Sequence, residues 1–218
     1  PPNWESLLLP MASISSMNII HGAAAIACLN KSLTLDAPTP TNISTKSEPV
    51  QKITIVPRTM GSLGYTMQVP EEEKYLYKKE ELETKILTLL GGRAAEEIIF
   101  GTMTTGASND IERATKLART MISQYGMSDR LGIAGFEAIE NKYLDGKTTL
   151  NCSDKTAAVI DEEVIKMLKE SYIKTKEMLQ NNLECLHKVS EYLLKKESIT
   201  GKEFMEIVNS VKNKNEES

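Results

Sequence analysis

From residue 75 onward the apolar positions recur at helical spacing. Leu82, Ile86 and Leu89 form one stripe, and it continues through Gly-Gly-Arg-Ala-Ala-Glu-Glu-Ile-Ile-Phe-Gly at 91–101. Gly91 and Gly92 each cost about 1 kcal/mol relative to alanine in a helix interior. Either a neighbour packs very close to them or the helix breaks. A second helix is predicted from near Ser108, where Ile111, Ala114, Leu117, Ala118, Met121 and Ile122 share one face, and Gly126 stands where a C-terminal glycine cap belongs. After a loop through 145–155, a long amphipathic helix is expected over 156–180, carrying Val164, Leu168, Tyr172 and Leu179. Another follows almost directly with Leu183, Leu186, Val189 and Leu193. Thr200 and Glu203 have the spacing of a capping box, in which each side chain bonds the other's amide. The tail 211–218 is expected to be disordered.

The period changes upstream. Lys-Ile-Thr-Ile-Val-Pro at 52–57 and Leu-Gly-Tyr-Thr-Met-Gln-Val-Pro at 63–70 are rich in β-branched and aromatic residues, and 58–62 supply a turn. A small hairpin or edge sheet is the expected outcome. Such an edge can pair with an unfolded peptide, although most exposed hairpins bind nothing. Residues 1–50 are irregular, with an alanine-rich stretch at 17–29 and a Pro/Thr/Ser-rich exposed loop at 34–49. The expected organisation is a divergent segment 1–50, a core 51–150 and C-terminal helices 151–210. The fold class is mainly α (α+β).

Composition agrees with this pattern. The 218 residues are 40% apolar, enough for one core with or without a helical appendage. Only 5% are aromatic and 26% are charged, which suits a helix-rich soluble protein. The net charge of -4 is interleaved along the chain and leaves no basic patch, so no nucleic-acid partner is expected. Cys28, Cys152 and Cys185 lack CxxC spacing and read as free thiols of a reducing compartment. No run reaches the ~20 apolar residues of a membrane span. Residues 7–20 are interrupted by Pro10 and serines, and no GxxxxGK[ST] nucleotide loop is present. By itself the chain is expected to be soluble and cytoplasmic, with no energy source of its own.

The richest stretch for chemistry is 102–119, where a tight turn through Gly106 delivers Ser108, Asn109 and Asp110 to the start of a helix. One reading is local: Ser108 caps the helix and Asp110 complements its dipole. The other makes Asp110 a metal ligand held rigid by the turn. Both stand on spacing alone.

Six motifs in order carry a resemblance: Ile-Thr-Ile-Val-Pro-Arg at 53–58, Leu-Gly-Tyr at 63–65, 91–101 as quoted, Thr-Thr-Gly-Ala-Ser-Asn-Asp-Ile-Glu-Arg-Ala-Thr at 104–115, Gly-Met-Ser-Asp-Arg-Leu-Gly at 126–132, and Val-Ile-Asp-Glu-Glu-Val at 159–164. From about residue 50 to about 208 the chain resembles the peptidase domain of FtsH, the ATP-dependent zinc metalloproteases of peptidase family M41. The resemblance implies a mainly helical domain with a small β element, assembled as a hexameric ring beneath AAA ATPase domains that feed it unfolded polypeptide. It implies membrane-protein and unfolded-protein quality control on the cytoplasmic face of a membrane. The ATPase domains and membrane helices of full-length relatives lie N-terminal to this region, so ATP acts only through a domain absent from these residues.

The family's zinc site uses an HExxH helix, whose histidines bind the metal and whose glutamate takes a proton from metal-bound water. The third ligand maps onto Asp110, and Glu96 maps onto a residue that orients a histidine from outside the ligand set. The alternative for Glu96 and Glu97 is one solvated helix face. His21 falls at the first histidine, but Gly22 occupies the place of the glutamate and Ala25 that of the second histidine. A register shifted by one aligns 25–29 better with the motif and loses His21 as well; His21 would then be a polar residue on an alanine-rich helix. The other histidine, His187, lies where the family binds no zinc. Two ligands, His21 and Asp110, fall short of the three a catalytic zinc takes. Loss of the base alone costs about 10²–10⁴ in rate, so no catalytic residue is assigned and an impaired peptidase is expected. The alternatives are a non-proteolytic hexamer scaffold, or a fragment or frameshifted copy of such a gene.

Overall fold

The computed structural model describes residues 50–54, 65–68, 76–139 and 148–216. His21, Gly22, Ala25, Cys28, the loop at 34–49 and the turn at 58–62 lie outside the described residues. Strand β1 (Val50–Thr54) pairs antiparallel with β2 (Tyr65–Gln68), as the two β-rich runs predict. Helix α1 covers Lys79–Phe100. Its first turn is braced by Glu81, which accepts from the Lys78 amide at 2.9 Å, and it stops at Gly101, whose φ of 63° reverses the chain.

Gly91 and Gly92 do not break α1. Gly91, Ala94 and Ala95 are buried on it, and the long helix α3 (Asp154–Asn181) packs along it with Ser171 and Thr175 on its own buried face. The Thr175 hydroxyl is fully buried and within reach of the Leu87 carbonyl at 3.4 Å. The helix therefore does not break, and small residues lie on the buried faces of both helices.

Helix α2 (Ser108–Ser123) follows a 3-10 turn at Thr105–Ala107. Ser108 does not cap it, contrary to the local reading: the cap position is Ala107, and Ser108 already lies in the first turn. At the other end, Gly126 has a φ of 60° and the Met127 amide donates to the Met121 carbonyl at 2.9 Å, the expected glycine cap. The loop expected at 145–155 contains a strand: β4 (Thr148–Leu150) pairs antiparallel with β3 (Glu137–Ile139).

Helix α4 (Leu183–Lys196) leads through Glu197 into β5 (Ser198–Thr200), which adds to the free edge of β1 and gives the sheet order β2-β1-β5. Ile53 faces Ile199 across that pair. Helix α5 (Gly201–Glu216) then runs through Glu216, well into the tail expected to be disordered. The capping box is present. The Thr200 amide donates to Glu203 Oε2 at 2.8 Å, and the Glu203 amide donates to the Thr200 hydroxyl at 3.4 Å.

Two hydrophobic clusters result. One joins Leu82, Ile86 and Leu90 of α1 to Ala114, Met121 and Ile122 of α2 and to Ile160 and Val164 of α3. The other joins Ala94 and Ala95 to Leu179, Leu186, Val189, Leu193, Phe204 and the sheet residues Ile53 and Ile199. Helix α1 therefore belongs to both, the first cluster holding its N-terminal half and the second its C-terminal half. Among the described residues no helix is long and apolar enough to cross a membrane.

The acidic limb of stability follows from two carboxylates. Lys196 and Thr200 hold Glu203 down at about 2, and Lys176 and Tyr172 hold Glu97 below its ordinary value of 4.5. Folded values below unfolded ones mean that this stability is present above about pH 4.5 and is lost as pH falls toward 2. The melting temperature, followed by circular dichroism, is expected to drop across that window. Glu203→Gln should make the drop shallower, and an unchanged acidic limb would contradict the assignment.

Candidate metal site

The site is built where α1 ends and α2 begins. Glu96 sits one turn from the end of α1 and is 5% exposed, so the solvated-face reading fails for it. Its carboxylate is held from three directions. Arg93 Nη1 donates to Oε2 at 3.2 Å, the Thr104 amide donates to Oε2 at 3.2 Å, and the Thr104 hydroxyl donates to Oε1 at 2.7 Å. The chain thus leaves α1, reverses at Gly101 and returns to the buried carboxylate. From there the 3-10 turn carries it into α2.

Glu97 points elsewhere and is also not simply solvated. It accepts from Lys176 Nζ at 2.6 Å and from the Tyr172 hydroxyl, tying α1 to α3. The lysine and the tyrosine hold its carboxyl below the usual range. Burial, and then the hydrogen bond to Glu97, push the Tyr172 hydroxyl above its own. Lys176→Met is expected to cost about 1 kcal/mol, since the pair is partly exposed. Urea unfolding measures this, and no change would mean that Tyr172 alone satisfies Glu97.

Asp110 lies in the first turn of α2, with its side chain one-third exposed. Burial pushes its carboxyl above the ordinary value, and the positive neighbour that offsets this is Arg113, on the same helix at 3.5 Å. Asp110 offers a carboxylate, one of the side-chain types that zinc takes as an oxygen ligand. Among the described residues nothing completes a site: no group of three His, Cys, Asp or Glu side chains could hold a metal ion there. His187 sits on α4, where burial lowers its pKa against the opposing charge of Glu191. Sequence reasoning placed Glu96 near the site but missed Thr104. The Thr-Thr-Gly run at 104–106, directly after a helix-ending glycine, was the available signal for a side-chain-braced turn.

Comparison with known families identifies the framework. The family model described as Peptidase family M41 matches residues 41–207. The chain belongs to peptidase family M41. It is 58% identical over 162 residues to the ATP-dependent zinc metalloprotease FtsH of Clostridium perfringens, covering 74% of this chain and 23% of that protein. It is 52% identical over 166 residues to the protein of the same name from Lancefieldella parvula, covering 76% and 26%. With the Kosmotoga olearia protein, also so named, identity is 45% over 163 residues, covering 73% and 25%. The chain therefore spans about a quarter of the length of these relatives. Glu96, Thr104 and Asp110 lie inside the family match, while His21, Gly22 and Ala25 precede it.

Proposed function

We propose that this chain is the peptidase part of an FtsH-type, ATP-dependent zinc metalloendopeptidase, and that it is catalytically impaired as written. On this reading the full-length protein is a hexameric ring on the cytoplasmic face of a membrane, where AAA ATPase domains deliver unfolded polypeptide. Residues 51–150 form the peptidase core and 151–210 its C-terminal helices.

The observation that carries the reading is the seat of Asp110, a half-buried carboxylate on a braced turn within the family match. When bound, zinc supplies a Lewis acid that activates water. Asp110 contributes one ligand and His21 one imidazole. Gly22 offers no side chain to take a proton, and Ala25 offers no second imidazole, so no reaction step is assigned to this chain. Casein cleavage tests this, because casein is loosely folded and needs no ATP-driven unfolding. The chain is expected to leave casein intact, and the variant with Gly22→Glu and Ala25→His is expected to cut it. Cleavage by the chain as written, abolished by Asp110→Asn, would overturn the impairment.

A second reading, a scaffold that joins rings without cutting, is favoured by the exposed apolar side chains Met103, Tyr125 and Ile133 on an otherwise well-packed framework. Light scattering of the chain mixed with an intact relative tests it. A strict monomer in that mixture counts against it.

A further inference from the structure

Between α1 and α3 lies a cavity of about 320 Å³, and none of Glu96, Thr104 and Asp110 lines it. A volume of this size holds a small ligand. Its floor is apolar: Leu87 and Ile122 are buried, and Met127 and Met167 are half-buried beside them. One end is closed by the loop after α2, which is tied to both neighbouring helices. The Ser128 hydroxyl donates to Glu163 Oε2 at 3.0 Å, Arg130 Nη1 donates to Glu162 Oε2 at 2.7 Å, and Lys79 reaches Asp129 at 3.5 Å.

Ser171 sets the chemistry of this cavity. It lines the wall and is only 9% exposed, yet among the described residues its hydroxyl forms no hydrogen bond. One turn on, the Thr175 hydroxyl is satisfied, donating to the Ser171 carbonyl at 2.8 Å. A buried hydroxyl without a partner is costly, so a ligand atom that accepts from it gains what the folded chain lacks. The surrounding charges are of both signs. Lys166, Glu170 and Lys174 follow one turn apart on α3, and the half-buried Glu83 lines the α1 wall. Among the described residues none of these four forms an ion pair. A ligand carrying one sign of charge would meet its like on either wall, whereas a zwitterion finds a partner for each end.

We propose that this cavity binds a short peptide with free ends and apolar side chains. Its carboxylate accepts from Ser171 beside Lys174, its ammonium faces Glu83, and its side chains cover Leu87, Ile122, Met127 and Met167. The site is separate from the metal reading of Asp110 and does not depend on it.

The probe is leucyl-leucine, titrated into the chain carrying ¹³C-labelled methionine methyl groups and followed by NMR. The Met127 and Met167 methyl resonances are expected to move saturably, while those of the exposed Met103 and of Met205 on α5 stay in place. N-acetylation and C-amidation of the dipeptide are each expected to weaken binding about two- to fivefold, the scale of one exposed ion pair. Ser171→Ala is expected to weaken it at least about tenfold, as for a lost hydrogen bond to a charged group. In Glu83→Gln the penalty for N-acetylation should vanish, and in Lys174→Gln the penalty for C-amidation; both are surface changes that leave the core intact. Absence of saturable shifts up to about 10 mM dipeptide overturns the site. Equal binding of capped and free dipeptides overturns recognition of the charged ends. Unchanged affinity in a Ser171→Ala chain that keeps its far-UV circular dichroism, or penalties that persist in Glu83→Gln and Lys174→Gln, overturns the placement of the two ends. None of these readouts uses zinc or cleavage, so they are decided separately from the peptidase reading.

Discussion

Replacing Gly201 by alanine is expected to destabilise the chain by up to about 3 kcal/mol and to loosen β1 from β5. The glycine opens α5 directly beneath the sheet. A Cβ there would lie 2.1 Å from the Val50 carbonyl oxygen and 3.2 Å from its carbon, both backbone atoms with no rotamer to yield. The helix or the strand must move. Gly201 is not among the glycines with positive φ, so the cost is steric rather than conformational. This makes the result diagnostic. At an open helical position the same substitution stabilises by about 0.4–1 kcal/mol, because alanine has less unfolded-state entropy to lose. Urea unfolding of Gly201→Ala decides the sign, and a gain in stability would contradict the seating of β1 on α5.

The other large expected effect is on catalysis. Restoring glutamate at 22 and histidine at 25 together should raise casein cleavage from background by at least about 10², the smaller value for a missing general base. Neither change alone is expected to suffice. Gly22→Glu supplies a base with no held metal beside it, and Ala25→His completes the ligands without a group to take the proton. The effects should therefore be strongly non-additive, as for groups that act as one unit. No recovery in a double variant that still folds would contradict the register placing His21 at the first histidine, because in the shifted register 22 and 25 are no longer the base and second-histidine positions.

How much of this was legible depended on length and on locality. The helices could be read because each repeats its apolar stripe over several turns, and the caps at Gly126 and Thr200–Glu203 are local enough to show in sequence. Strands β3, β4 and β5 could not, since each is three residues long and too short for alternation. Their existence is decided by partners distant in the chain, as with Ile53 and Ile199. The glycine pair in α1 left two outcomes open, and the unbroken helix was decided by packing against α3, some eighty residues away. At the candidate site, the family resemblance pointed to Asp110 and Glu96. The bonds from Thr104 to Glu96 stayed hidden because they exist only once the chain has reversed at Gly101 and returned Thr104 to Glu96. Ser108 was misread for the same reason: with the turn braced by Thr104, the cap position fell one residue earlier.

The central claim is that an M41 peptidase framework presents Asp110 to a metal that the N-terminal residues of this chain no longer hold. Zinc content by elemental analysis tests it most directly, on the purified chain and on the variant with Gly22→Glu and Ala25→His after equal exposure to zinc and dialysis. The account predicts zinc far below one ion per chain for the first and close to one for the second, falling again when Asp110→Asn is added. One tightly held zinc in the unaltered chain, lost on Asp110→Asn, would contradict it.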